Sequence, residues 1–205
     1  MHFLSFIFAF GLTSATPESD LKTGDLVFLD LDCGDLCTSI ATVTRQQLDS
    51  QGPNLSHVGA IDRESGAIKV IEAWPLGGVK ETSWAEFSAR VKDPNRLVIQ
   101  RIAPEWRDSA KLAVLKMREF LGRPYDQIFA QGINEFYCSE LILEGWQQMP
   151  DSPFKWRPMY FGAVSSSDYR IWSTYYSGLG IEPPTGWPGV SPLGIFLDAQ
   201  KIARP

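Results

Sequence analysis

The spacing of apolar positions changes along the chain and lays out most of its elements. Residues 26–31 (LVFLDL) follow the turn Lys22-Thr23-Gly24-Asp25 as a buried strand. Residues 56–61 and 67–73 are two more strand-like runs, flanking Arg63-Glu64-Ser65-Gly66, whose composition suits a hairpin turn. Short strands are expected at 79–82 and 96–102, a short helix at 39–48 and a helical turn around 84–90. From Trp106 the period changes. Trp106, Ala110, Ala113, Met117, Phe120 and Leu121 share one helical face, and Gly122 stops it. Residues 134–149 (NEFYCSELILEGWQQM) repeat the three-and-four spacing with Cys138, Leu141, Ile142, Gly145, Trp146 and Met149, and Asn134 is the expected N-cap. Past Met149 the pattern turns irregular: a Ser165-Ser166-Ser167 turn, an aromatic IWSTYY run and a Pro/Gly-rich tail, PPTGWPGVSPLG. This region either lines a cleft for an apolar or peptidic ligand or covers the core as an ordered loop.

These elements predict an α+β fold, an antiparallel sheet built from the strands near residues 26, 57, 68, 79 and 96, with the cysteine-bearing helix packed on it. A chain of 205 residues is long enough for one substantial core. No stretch reads as a linker, so residues 16–205 are expected to form a single domain. Residues 1–15 (MHFLSFIFAFGLTSA) carry no Asp, Glu, Lys or Arg and end in small residues, as a secretory signal cleaved after Ala15 would. The run is too short to span a membrane, and no cysteine marks a lipidation point. The expected location is therefore outside the cytoplasm, periplasmic or secreted.

The net charge of −5 is mildly acidic and the basic residues are dispersed, which argues against nucleic acid as a partner. Export changes the reading of the three cysteines. Cys33 and Cys37 are spaced for a loop disulfide in an oxidising compartment, with a metal site or two free thiols as the alternatives. Zinc normally takes four ligands, and no further His or Cys lies near this pair in sequence. The acidic residues around it, Asp30, Asp32 and Asp35, lack the spacing of a calcium loop. No metal and no cofactor are expected.

Cys138 then stands unpaired within the first turn or so of its helix, where unbonded N–H groups and the helix dipole favour thiolate over thiol. If the hairpin folds about the middle of its turn, His57 and Glu72 fall opposite each other on one face. An imidazole beside a carboxylate gains a fixed tautomer and a raised pKa. His2 lies in the signal-like segment, so His57 is the one histidine expected in the mature chain and the one candidate base for Cys138.

The ordered set SHVG (56–59), EAW (72–74), GRPYD (122–126) and YCSEL (137–141) resembles the circularly permuted branch of the NlpC-type papain-like cysteine hydrolases, the YiiX/YebB-like group. The resemblance runs from about Gly24 to about Gly145 and includes the DCGDLC loop. In unpermuted relatives the cysteine helix precedes the histidine strands, whereas here it follows them. The resemblance implies Cys138 as nucleophile, His57 as general base and acid, and Glu72 as the residue that orients the imidazole. It also implies Tyr125, matching a tyrosine that lies beside the nucleophile in such enzymes, as an active-site residue; Tyr137, next to Cys138 in sequence, is the second expected substrate-binding residue. The expected activity is hydrolysis of an amide, in a cell-wall peptide or another small amide, through a thioester acyl-enzyme. Two alternatives stay open. One is acyl transfer of the lecithin:retinol acyltransferase type, on lipid-linked or amine substrates; the other is a non-catalytic ligand-binding module.

Overall fold

A computed structural model describes residues 18–132 and 134–204, so the expectation for residues 1–15 lies outside the described residues. All five expected strands are present: β1 (Leu26–Leu29), β2 (His57–Asp62), β3 (Lys69–Trp74), β4 (Gly78–Ser83) and β5 (Leu97–Gln100). They form one antiparallel sheet in the order β4-β3-β2-β1-β5. Among the described residues six α-helices surround it: α1 (Asp35–Leu48), α2 (Trp84–Ser88), α3 (Arg107–Arg118), α4 (Cys138–Trp146), α5 (Ser167–Gly178) and α6 (Pro192–Ala199). A small ribbon, β6 (Arg157–Pro158) with β7 (Pro188–Gly189), joins the C-terminal helices. The architecture is the expected α+β arrangement.

Both faces of the sheet are covered at its centre, which is why β1 and β2 are buried along their whole length, whereas the edge strand β4 alternates more. Phe28, Val58, Ala60, Ile71 and Ala73 pack with Ala113 and Met117 of α3, Leu141 and Trp146 of α4 and Ile195 of α6. Val27, Leu29, Ile61 and Val70 point the other way and pack with Phe87 of α2. Helices α3 and α4 approach closely because Gly145 has no side chain. A Cβ there would lie 2.6 Å from Met117 and 3.0 Å from the Ala113 carbonyl oxygen.

Three expectations are corrected. The cysteine helix begins at Cys138 and not near Asn134. The chain before it is drawn into a short pairing with the Tyr125 segment: Phe136 N–H donates to the Pro124 carbonyl at 3.1 Å and Asp126 N–H to the Phe136 carbonyl at 3.2 Å. Tyr137, without a side-chain cap, takes the position expected for Asn134. Second, the C-terminal region is not merely irregular, since it holds α5 and α6. Each starts at a serine cap: Ser166 Oγ accepts from Tyr169 N–H at 3.1 Å and Ser191 Oγ from Gly194 N–H at 3.0 Å, with Pro192 as the first residue of α6. Third, α1 starts at Asp35, so Cys37 lies inside the helix and its bridge to Cys33 ties the preceding loop to the first helical turn.

Candidate active site

Cys138 is the first residue of α4, where its backbone N–H has no intrahelical partner and its side chain meets the positive end of the helix. Its thiol is buried. Burial alone would push its pKa up. The hydrogen bond and charge of His57, Ser139 Oγ at 3.8 Å and the Val58 backbone N–H together outweigh burial and hold it below the ordinary value. The sequence pointed to the helix terminus and the imidazole, and the contributions of Ser139 and Val58 come only from the fold.

His57 is the first residue of β2 and almost fully buried. Its Nε2–H donates to Glu72 Oε2 at 2.6 Å, which leaves Nδ1 to face the thiol. Burial disfavours the charged ring. Hydrogen bonds to Cys138 and Glu72, with the charges of both, prevail and raise His57 to about 9. The imidazole is further held edge-on to Trp74, with ring centroids 5.0 Å apart, and beside Phe87 at 5.8 Å.

The register differs from the expected one. Ala60 pairs with Ile71 and Ile61 with Val70, so one step along Gly59 faces Glu72, and His57 is diagonal to it. The pair still meets because diagonal neighbours on one face lie within reach of long side chains. Gly59 is the enabling residue. A Cβ there would strike Val70 and press on the Ile71 carbonyl oxygen at 3.1 Å, so the glycine of SHVG lets β3 lie close beside β2 at the point where Glu72 enters.

The thiol and the imidazole arrive from opposite sides of the sheet. Val58 and Ala60 belong to the face that carries α4, whereas Ile61, in phase with His57, belongs to the face that carries α2. Contact is possible because His57 is the terminal residue of its strand, so its ring can meet the first residue of α4 past the strand end.

Glu72 is fully buried and saturated with donors. Arg90 binds it through both nitrogens, Nη1 to Oε2 at 2.6 Å and Nη2 to Oε1 at 2.7 Å, and Thr82 Oγ donates to Oε1. Burial works against the charged carboxylate, but His57, Arg90 and Thr82 hold its pKa down to about 2. Neither Arg90 nor Thr82 was singled out from the sequence. The available signal was alternation: Thr82 lies across from Val70 in β4, hence on the face of Glu72.

A cavity of about 100 Å³ opens at Cys138. Its walls are mainly apolar, with Ile40 and Val43 from α1, Tyr125, Phe129, Val190 and Trp172 from α5. The late aromatics thus do line a cleft, as one of the two readings of the C-terminal region held. Tyr125 lies in this wall near the thiol, and burial followed by the Cys138 charge keeps its hydroxyl protonated. Tyr137 contributes its ring to the wall, while its hydroxyl is committed to the backbone, accepting from Val190 N–H at 2.9 Å.

Two further carboxyl groups sit beside the site. Asp126 Oδ1 accepts from Ile128 N–H at 2.7 Å and Glu140 Oε1 from Gly132 N–H at 2.8 Å, so both anchor the loop that carries Phe129. The second oxygen of each is buried without a partner. Burial raises Asp126 to about 6 and Glu140 to about 8.

Residues 20–157 match the model of a family described as permuted papain-like amidase enzyme, YaeF/YiiX, C92 family. The chain belongs to this family. It is therefore a cysteine peptidase or amidase-type hydrolase at family level. The crystal structure of metalloprotein YiiX from Escherichia coli O157:H7 superposes with a TM-score of 0.68 over 86% of this chain and 92% of that one, at 22% identity, a likeness of fold. No curated protein sequence matches the chain. That neighbour's description as a metalloprotein does not fit the residues here. Among the described residues no group of three or more His, Cys, Asp or Glu is placed to hold a metal, and Glu72 is already occupied by Arg90, Thr82 and His57. The family match ends before α5 and α6, so part of the cleft wall lies outside it.

Proposed function

We propose that this amidase cleaves a small amide or peptide bond with Cys138 as nucleophile, His57 as proton carrier and Glu72 as the group that fixes the imidazole. The observation that carries the reading is the buried constellation itself: a thiol at a helix N-terminus, its pKa lowered by the neighbouring His57 imidazole, whose Nε2 is held by a carboxylate at 2.6 Å. Between the lowered Cys138 pKa and the raised His57 pKa the pair exists as thiolate and imidazolium. The thiolate attacks the carbonyl carbon, and the developing oxyanion is met by the backbone N–H of Cys138 and the protonated Tyr125 hydroxyl. The imidazolium gives its proton to the leaving nitrogen as the C–N bond breaks, leaving a thioester and neutral His57. Water then attacks the thioester carbonyl while His57 takes its proton, the C–S bond breaks, the carboxylic acid product leaves, and the thiolate and imidazolium are restored.

The disulfide between Cys33 and Cys37 supports an oxidising location, periplasmic or secreted, and with it a cell-wall peptide as one substrate class. The apolar wall of the cleft favours a second reading, in which the acyl group is lipid-like and an amine or alcohol resolves the thioester. One experiment separates them. The protein is offered cell-wall peptides and acyl-lipids in parallel, and intact mass spectrometry looks for an acyl adduct on Cys138. Peptide-derived adducts support the amidase substrate class, lipid acyl adducts alone overturn it in favour of transfer, and modification of any other residue removes Cys138 as the nucleophile.

A further inference from the structure

Arg90 has no part in the reaction steps above, yet it makes the most extensive contact with the group that holds the base. Glu72 has four donors, two on each oxygen: His57 and Arg90 Nη1 on Oε2, Arg90 Nη2 and Thr82 on Oε1. The guanidinium is itself fixed, stacked 3.9 Å over the Trp74 ring and 5.3 Å from Phe87, the two rings that also flank His57. We propose that Arg90 is a positioning residue that locks Glu72 in one orientation and draws charge from it, so that His57 is held by the carboxylate yet can still surrender its proton to a leaving amine.

The proposal rests on the assignment of Cys138 and His57 as the reacting pair. A carboxylate in a dry site that faced only an imidazolium would lend it a full negative charge and make it a poor acid. The acylation step needs the opposite, since the leaving nitrogen departs only if the imidazolium releases its proton. A guanidinium on the same carboxylate opposes that charge across the site, and its planar fork fixes the carboxylate plane in a way one point charge does not. The charged neighbours agree with this division. His57 faces Cys138 from α4 and Glu72 from β3; Glu72 faces Arg90, which follows α2, and the uncharged Thr82 of β4. On its outer side, among the described residues, Arg90 meets the exposed Glu86 at 3.8 Å, and Glu86 is in turn shared with Lys80 at 3.8 Å.

The test uses the full chain, and its labelling arm needs no knowledge of the substrate. Labelling of Cys138 by iodoacetamide is followed against pH, and the second inflection, where the imidazolium loses its proton, is compared between wild type and variants. Arg90→Gln is expected to move that inflection up by about one unit. It should also slow turnover of an N-acyl-4-nitroanilide about tenfold while slowing the 4-nitrophenyl ester of the same acyl group much less, because only the anilide needs a proton on departure. Arg90→Lys keeps the charge and loses the fork, so it should hold the inflection and lower anilide turnover. An unmoved inflection in folded Arg90→Gln overturns the proposal. If Arg90→Gln does not fold, Arg90→Lys decides alone, and equal anilide turnover in Lys and wild type overturns it. A wild-type profile with a single inflection at the free-thiol position overturns the thiolate–imidazolium pair itself, a failure distinct from that of Arg90.

Discussion

Replacing Glu140 by Gln should stabilise the protein near neutral pH and flatten its response to acid. The carboxyl is fully buried two residues after the thiol, with one oxygen bonded to Gly132 N–H and the other without a partner. Burial, aided by the Asp126 charge and opposed by the Gly132 N–H, places its pKa at about 8 in the folded state, against about 4.3 for an exposed Glu. The folded state therefore binds this proton more tightly than the unfolded state, and stability falls as pH rises from about 4 to about 8. Between pH 5 and pH 7 the loss from this one group is on the order of 2–3 kcal/mol. Gln keeps an oxygen for Gly132 N–H and has no proton to lose. Urea unfolding at pH 5 and pH 7 measures the effect. The variant should lose about 2 kcal/mol less than wild type across that interval. Asp126, raised to about 6, works in the same direction and leaves the variant a residual slope below pH 6. Equal pH dependence in both proteins would refute the reasoning, because it would mean that Glu140 titrates alike in the folded and unfolded states.

Three other predictions concern the cysteines. Cys138→Ala should leave a folded protein without turnover, while His57→Ala should move the iodoacetamide midpoint of Cys138 upward, because burial then acts on the thiol without the imidazole to oppose it; retained turnover in the first or an unmoved midpoint in the second would count against the assignment. Non-reducing peptide mapping should find Cys33 joined to Cys37 and Cys138 free, and removing the bridge should cost on the order of 2 kcal/mol and loosen the start of α1 without unfolding the domain; labelling of all three cysteines in the absence of reductant would contradict it.

How much of this was legible before the fold was known depended on how local each signal is. The strands β1, β2 and β5 were readable because each is a largely apolar block bounded by turn residues, and β3 and β4 because they flank turn residues in the same stretch. Cys138, His57 and Glu72 were readable because they stand in recognisable local strings. The register between β2 and β3 was not, since it depends on how residues 63–68 are used in the turn, and the sequence leaves a shift of two open. The start of α4 was missed for a similar reason. Asn134 is a good cap in isolation, but the pairing of Phe136 with the Tyr125 segment, set by residues a dozen positions away, keeps the chain extended up to Tyr137. Helices α5 and α6 did carry local signals, Ser166 as a cap and Ser191-Pro192 as a helix start, which the density of Gly and Pro around them obscured. Arg90 carried none, for an arginine at the end of a short helix looks like any solvated charge until β3 and β4 place Glu72 beneath it.

The corrected register and helix start together explain how the site can be both buried and charged. Moving the helix start to Cys138 brings the thiol level with the end of β2, and placing Glu72 opposite Gly59 and diagonal to His57 lets its carboxylate take four donors. The reacting pair of the proposed mechanism then sets thiolate against imidazolium beside carboxylate against guanidinium, two opposite pairs that share one hydrogen bond between His57 and Glu72. Glu140, kept neutral by its burial, adds no negative charge beside the thiolate. Isolated charges in so dry a place would be neutralised by proton transfer. A chain of alternating sign avoids that outcome, and breaking it at Arg90 would leave Glu72 and Cys138 competing for a single positive ring.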